Sequence, residues 1–206
     1  LAVSFARSGK KVALLEMDLH QPRISEMFTI PQNVGITDYL IGQANPENII
    51  LKSSKHENLS ILPCGFLEED PTELLSYDKL ETLFSFLDKR FDIIIIDTAP
   101  FKALTDAYII GAHCNLVMVV VRHDHTPTKI LERINEDMES QEINNVAIVF
   151  NGVKNRGMGK FSYGYGYGYG YDQKSNYNEY YKNYKIWIKT RSRDIKEHLY
   201  LDKISL

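Results

Sequence analysis

The sequence has 206 residues, 44% of them apolar and 25% charged, enough for one domain with a proper core plus a tail. A formal net charge of −3 supplies no global basic field, so no nucleic-acid partner is expected. Two cysteines, Cys64 and Cys114, exclude a disulfide framework and are expected reduced and buried in a cytoplasmic protein; apolar runs such as Leu116–Val121 are too short to span a membrane.

The chain opens on LAVSFARSG, which reads as the last turns of an amphipathic helix. It begins with neither a cap nor Met, which points to a piece of a longer chain. Gly9 closes that helix in the left-handed conformation. KKVALLEMD then gives a buried strand over Val12–Met17 that delivers Asp18. Helical turns are expected at Ile24–Phe28 and Gly35–Ile41, a second strand at Asn58–Leu62, and helical spacing at Pro71–Leu75. Tyr77–Lys89 places Leu80, Leu83, Phe84 and Leu87 on one helical face. FDIIIIDTAP gives a third strand over Asp92–Ile96, ending at Asp97. A helix over Thr105–Ala112, a strand over Leu116–Val121, a helix over Thr126–Ser140 and a strand over Val146–Phe150 follow.

Apolar strands separated by amphipathic helices predict a doubly wound α/β domain with a mainly parallel sheet covered on both faces. Ligands of such folds sit beyond the C-terminal ends of the strands. Three strands end there in polar residues: Glu16–Asp18, Asp97 and Asn151. A hydrophobic strand that delivers one Asp is the form of a Walker B element, whose carboxylate holds Mg²⁺ beside nucleotide phosphates. An Asp at a strand end equally caps a following helix, and Glu16 equally serves as a solvated loop acid. Two acidic strand ends in one sheet favour the metal–phosphate reading.

A phosphate loop needs a strand, a Gly-rich loop, Lys-Ser/Thr and then a helix. Ser8-Gly9-Lys10 does not qualify, because its Lys precedes a strand and no Ser or Thr follows. Such a loop belongs immediately before residue 1, ahead of the helix in which the chain opens. His123-Asp124-His125 hints at a metal, yet three adjacent side chains cannot all converge on one ion. Cys64 and Cys114 read as core residues rather than nucleophiles.

After Arg156 the pattern stops. Residues 161–184 gather nine of the chain's thirteen tyrosines in a Gly-rich ribbon: Tyr163, Tyr165, Tyr167, Tyr169, Tyr171, Tyr177, Tyr180, Tyr181 and Tyr184. Taken alone, this composition suits a sticky low-complexity tail as well as a set of modification sites. The final stretch, KIWIKTRSRDIKEHLYLDKISL, is weakly amphipathic and suggests no role.

KKVALLEMDLHQPRI resembles the modified second Walker motif of bacterial tyrosine kinases, the autokinases of polysaccharide co-polymerases. IIIIDTAP resembles their Walker B strand. ILPCGFLEEDPTELL, DAYIIGAHCNLVMVVVR and VAIVFNGV follow in the family's order and spacing, and the ribbon resembles its C-terminal tyrosine cluster. The resemblance covers about residues 1–184. It implies a fold similar to the MinD/ParA group of P-loop ATPases, with a flexible Tyr-rich C-terminal tail. It implies an enzyme that uses ATP and Mg²⁺ to phosphorylate its own tail, between subunits of a ring-like homo-oligomer. It further implies cycles opposed by a tyrosine phosphatase, coupled to capsular or exopolysaccharide polymerisation and export. The expected location is the cytoplasmic face of the bacterial inner membrane, with a membrane-spanning co-polymerase part, fused or separate.

By position, the resemblance makes Asp97 the carboxylate that orders Mg²⁺ and Asp18 the second acid near the metal. Glu16 takes the place of the first acid, which would orient or deprotonate the incoming phenol, and Asn151 stands where adenine is contacted. Glu16 replaces the usual Asp, and His20 replaces the usual Arg. Residues 1–156 are thus expected to form a kinase domain without its phosphate loop, 157–184 an autophosphorylation tail and 185–206 an unassigned end. Alone, the chain is expected to bind ATP poorly and to be inactive. Phosphorylating all nine tyrosines would add about −14 to −18 charges and is expected to loosen a ring. Two other functions suit the same residues: a non-kinase MinD/ParA-like ATPase, and a catalytically silent regulator of polysaccharide export.

Overall fold

The computed structural model describes residues 1–153, apart from 20, 32, 67–76, 100–108 and 141–144, together with 184–190. The first helix, α1 (Ala2–Arg7), ends as its sequence dictates. Gly9 takes φ +87°, and the amides of Gly9 and Lys10 donate to the carbonyls of Ala6 and Phe5. That pair of bonds is a Schellman closure, which turns the chain sharply into β1 (Val12–Met17).

After β1 come α2 (Ile24–Met27), α3 (Ile36–Leu40), a 3₁₀ turn (Pro46–Ile49), β2 (Leu51–Lys52) and β3 (Leu59–Leu62). The second half comprises α4 (Tyr77–Asp88), β4 (Ile93–Thr98), β5 (Leu116–Arg122), α5 (Thr128–Ser140), β6 (Val146–Asn151) and β7 (Tyr184–Thr190). The strands form one sheet in the order β2-β3-β1-β4-β7-β5-β6. β3, β1 and β4 pair in parallel, as do β5 and β6; β2 and β7 are antiparallel to their neighbours. The expected mainly parallel sheet is therefore present.

Every residue of β1 is buried, because helices or loops cover both faces of this part of the sheet. On one face Ala13, Leu15, Met17, Ile94 and Ile96 pack with Leu80, Leu83, Phe84 and Leu87, the stripe that the spacing of α4 predicts. On the other, Val12, Leu14, Ile93 and Ile95 pack beneath Ala2 and Ala6 of α1 and Ile24 of α2.

The structure departs from the sequence expectation in four places. Asp97 does not follow its strand but lies inside β4, which continues to Thr98. Double-sided cover does not reach β6. Val117, Val119 and Val121 on β5 are buried, whereas their partners Val146, Ile148 and Phe150 are exposed. Burial thus ends at the sheet's edge strand. β2 is a two-residue strand too short to leave a periodic signal. The last departure is β7, an unexpected strand that enters the sheet between β4 and β5 and starts at Tyr184, the last tyrosine of the ribbon.

The expected helix at Pro71–Leu75, the first part of that at Thr105–Ala112, His20 and the tyrosines from Tyr163 to Tyr181 lie outside the described residues. Among the described residues no helix is long and apolar enough to cross a membrane.

α3 meets the turn after β3 at very close range. The amides of Ile36 and Thr37 donate to the carbonyls of Pro63 and Cys64, at 2.9 and 2.8 Å. A Cβ on Gly35 would lie 2.3 Å from the Gly65 nitrogen and 2.4 Å from the Pro63 oxygen. Backbone cannot yield as a flexible side chain does, so Gly35→Ala should cost on the order of 1–3 kcal/mol in urea unfolding. Amide hydrogen exchange tests β7: residues 185–188, paired on both sides, should exchange as slowly as β4.

Candidate functional site

The C-terminal edge of the parallel strands collects the acidic residues that the sequence singles out. Register is the cause. Glu16 of β1 is directly opposite Asp97 of β4, so their side chains leave the sheet on the same face. Asp18 follows one residue beyond β1, half-buried, and its Oδ1 accepts the Gln21 amide at 3.0 Å.

Asp97 carries the electrostatic signature of this edge. Burial, followed by the negative charges of Asp18 and Glu16, pushes its carboxyl up from the ordinary 3.8 to about 7.

Glu16 belongs to the same face but not to the open edge. It is wholly buried. Its Oε1 accepts the amides of Ile24 and Ser25, the latter at 3.2 Å. Its Oε2 accepts the Ser25 hydroxyl and, at 3.3 Å, the Cys64 amide. The carboxylate therefore joins the end of β1 to the start of α2 and to the turn after β3.

That turn is itself fixed. The Thr37 hydroxyl lies within hydrogen-bond reach of the carbonyls of Cys64 and Phe66, at 3.0 and 2.7 Å, and Asp38 accepts the Gly35 amide at 2.7 Å. Cys64, buried at its centre, has its thiol pushed up to about 12 by burial and then by Glu16, Asp18 and Asp38. It stays a neutral core residue, as the sequence suggests.

Asn151 stands apart from the acids. It ends β6, three strands from β4, a separation of about 14 Å at ordinary strand spacing. It is exposed, and its Oδ1 accepts the Gly152 amide at 2.8 Å. The His123-Asp124-His125 turn lies beside it. His123 approaches Asp124 at 3.5 Å and meets the edge of Phe150, with ring centroids 5.6 Å apart. Among the described residues no group of three or more His, Cys, Asp or Glu is placed to hold a metal ion.

The sequence reading missed Ser25, Thr37 and the Gly35–Gly65 contact. A lone Ser or a pair of distant glycines carries no spacing that announces a bond across the fold. The one available signal was Glu16 itself, where the resembling motif has Asp.

A mainly parallel sheet with helices on its faces and carboxylates paired at the C-terminal ends of β1 and β4 defines the class: an α/β domain of P-loop ATPase architecture. A family model described as "AAA domain" matches residues 1–147, and the chain belongs to that family. It is similar to a tyrosine-protein kinase, ptk, of Acinetobacter johnsonii: 31% identity over 77% of this chain and 22% of the relative. The chain thus spans about a fifth of that relative's length. Its structure is similar to the kinase domain of Escherichia coli tyrosine kinase ETK, with TM-score 0.69, 26% identity and coverage of 80% and 64% of the two chains. The MinD cell division protein of Aquifex aeolicus shares the fold at TM-score 0.58 and 19% identity, over 74% and 61%.

The Asp97 carboxyl sets a pH dependence. The unfolded carboxyl titrates near 3.8 and the folded one near 7, so the folded chain holds the proton more tightly. Stability from this group is fully present below pH 3.8 and is lost as pH rises through about 7. Asp97→Asn removes the penalty of the buried charge. In urea titrations without divalent cations the variant should be more stable than the parent above pH 7 by on the order of 1–3 kcal/mol, with the difference closing towards pH 4.

Proposed function

We propose that this chain is part of an ATP- and Mg²⁺-dependent protein-tyrosine autokinase that phosphorylates tyrosines of the 163–184 ribbon in trans and regulates capsular or exopolysaccharide polymerisation and export. The observation that carries the reading is the carboxylate cluster of β1 and β4, in a chain similar to tyrosine-protein kinases.

Asp97 and Asp18 fit Mg²⁺. They are hard oxygen donors at one edge of the sheet, and Mg²⁺ is commonly held by one or two carboxylates, waters and substrate phosphates. When bound, the cation would supply charge neutralisation to the transferring phosphoryl group. Asp97, the second-last residue of the central strand β4, offers one carboxylate. Asp18 contributes the second oxygen donor from just beyond the neighbouring strand. Asn151, at the far end of the same edge, is assigned to the adenine. In the ribbon, Tyr163, Tyr165, Tyr167, Tyr169, Tyr171, Tyr177, Tyr180, Tyr181 and Tyr184 are the acceptors. Each phenol, with its ordinary pKa near 10, needs placement in line with the phosphoryl group.

The assembly that suits this chemistry is a ring of copies at the cytoplasmic face of the inner membrane. It works with a membrane-spanning co-polymerase part and is reset by a tyrosine phosphatase. The MinD-like reading rests on the shared fold, yet it gives the tyrosines no use. A silent regulator would need another kinase to modify the ribbon.

The test uses the entire gene product with Mg-ATP and maps phosphotyrosine over residues 163–184 by mass spectrometry. Phosphate on the ribbon, falling by about 100-fold or more in Asp97→Asn, is the expected result. A bare ribbon in the parent would sink the kinase reading. Phosphate that survives in Asp97→Asn would leave the regulator.

A further inference from the structure

The proposed kinase chemistry leaves Glu16 in a position that its place in the motif does not explain. A carboxylate offers about four lone-pair sites. In Glu16 four donors occupy them: the Ile24 amide, the Ser25 amide, the Ser25 hydroxyl and the Cys64 amide. The side chain is wholly buried, beneath the face that α1 and Ile24 cover. A phenol that sought to pass its proton here would have to displace a backbone amide from a buried acceptor, and that amide would be left unsatisfied.

We infer that Glu16 is a positioning residue, not the acceptor of the phenol proton: its buried carboxylate clamps the start of α2 and the turn after β3 to the end of β1, and so fixes Asp18 at the edge. The inference rests on the kinase reading only for the reaction that it serves.

The clamp acts through short connections. From Glu16 to Ile24 the chain loops out and returns, and Asp18 stands in that loop with its own bond to the Gln21 amide. Holding both ends of a short loop restricts what lies between them. The third arm runs through Cys64, whose carbonyl accepts the Thr37 amide at 2.8 Å, so the same carboxylate registers α3 against β1. The clamp also accounts for Glu where the resembling motif has Asp. An aspartate at this place would stop about one C–C bond, ~1.5 Å, short of the Ser25 and Cys64 donors. A glutamate reaches past the edge into the protein and is captured there.

Three variants, Glu16→Gln, Glu16→Asp and Ser25→Ala, separate positioning from proton transfer. In this chain, amide exchange at Ile24, Ser25 and Cys64 should be slow and should quicken by about tenfold or more in Glu16→Asp, less in Glu16→Gln. In the entire gene product, autophosphorylation should fall by about 10- to 100-fold in Glu16→Asp. Glu16→Gln, which keeps the length and one acceptor oxygen, should retain more activity, and Ser25→Ala should lie between Glu16→Asp and the parent. The pH profile of kcat/KM should keep its acidic limb in all three.

If Glu16→Asp fails to fold, Glu16→Gln and Ser25→Ala still decide the matter. A Glu16→Gln protein as inactive as Asp97→Asn, with Ser25→Ala unaffected or the acidic limb lost, would overturn the proposal. So would fast exchange of the three amides in the parent. A parent that does not phosphorylate itself would remove the kinase reading, and the exchange rates would then decide the clamp alone.

Discussion

The parallel pairing of β1 with β4 is the constraint on which the rest of the structure depends. It sets Val12 against Ile93 at one end and Glu16 against Asp97 at the other. A slip of one residue would send every side chain of β1 to the opposite face. Leu14 would then lose its cover beneath α1, and the two acids would point to different sides of the sheet. Burying four apolar pairs and juxtaposing two carboxylates are therefore one requirement. The apolar residues supply the stabilisation, and the acids accept the position that results.

Two carboxylates placed side by side meet different fates because their surroundings offer different partners. Glu16 is enclosed by donors, two of them amides at the start of α2, and a charge so enclosed is tolerable in a protein interior. Asp97 is shifted upward by burial and by its acidic neighbours. The same residue chemistry thus divides by its surroundings: Glu16 is bonded to donors inside the protein, and Asp97 is left with a carboxyl raised by burial and by acids.

Much of this was legible in the sequence. Continuous apolar runs marked β1 and β4, whose first four residues are buried on both faces, and also β5, although there only alternate residues are buried. Gly9 gave the end of α1, and the stripe from Leu80 to Leu87 gave the buried face of α4. Pairing across the fold was less legible. Nothing local to Ser25 or Cys64 says that Glu16 will bind them, because the contact exists only once β1 and β3 are adjacent. β7 was missed for a different reason. YKIWIKT has the β-branched and aromatic residues of a strand, but it follows a ribbon whose composition announces no structure, and a strand's partners are not written in its own residues.

The position of β7 decides how the two parallel parts of the sheet are joined. β6 leaves the sheet at Asn151, on the acidic edge. β7 runs antiparallel, so it enters at Tyr184 on that same edge, with Lys185 opposite Thr98 and Ile186 opposite Asp97. Its other side pairs with β5, from Tyr184 opposite Val120 to Ile188 opposite Leu116. Withdrawing β7 would therefore expose two central strand edges at once, at a considerable loss of backbone pairing. The strand that the sequence announced least is thus the one that holds β3, β1 and β4 to β5 and β6.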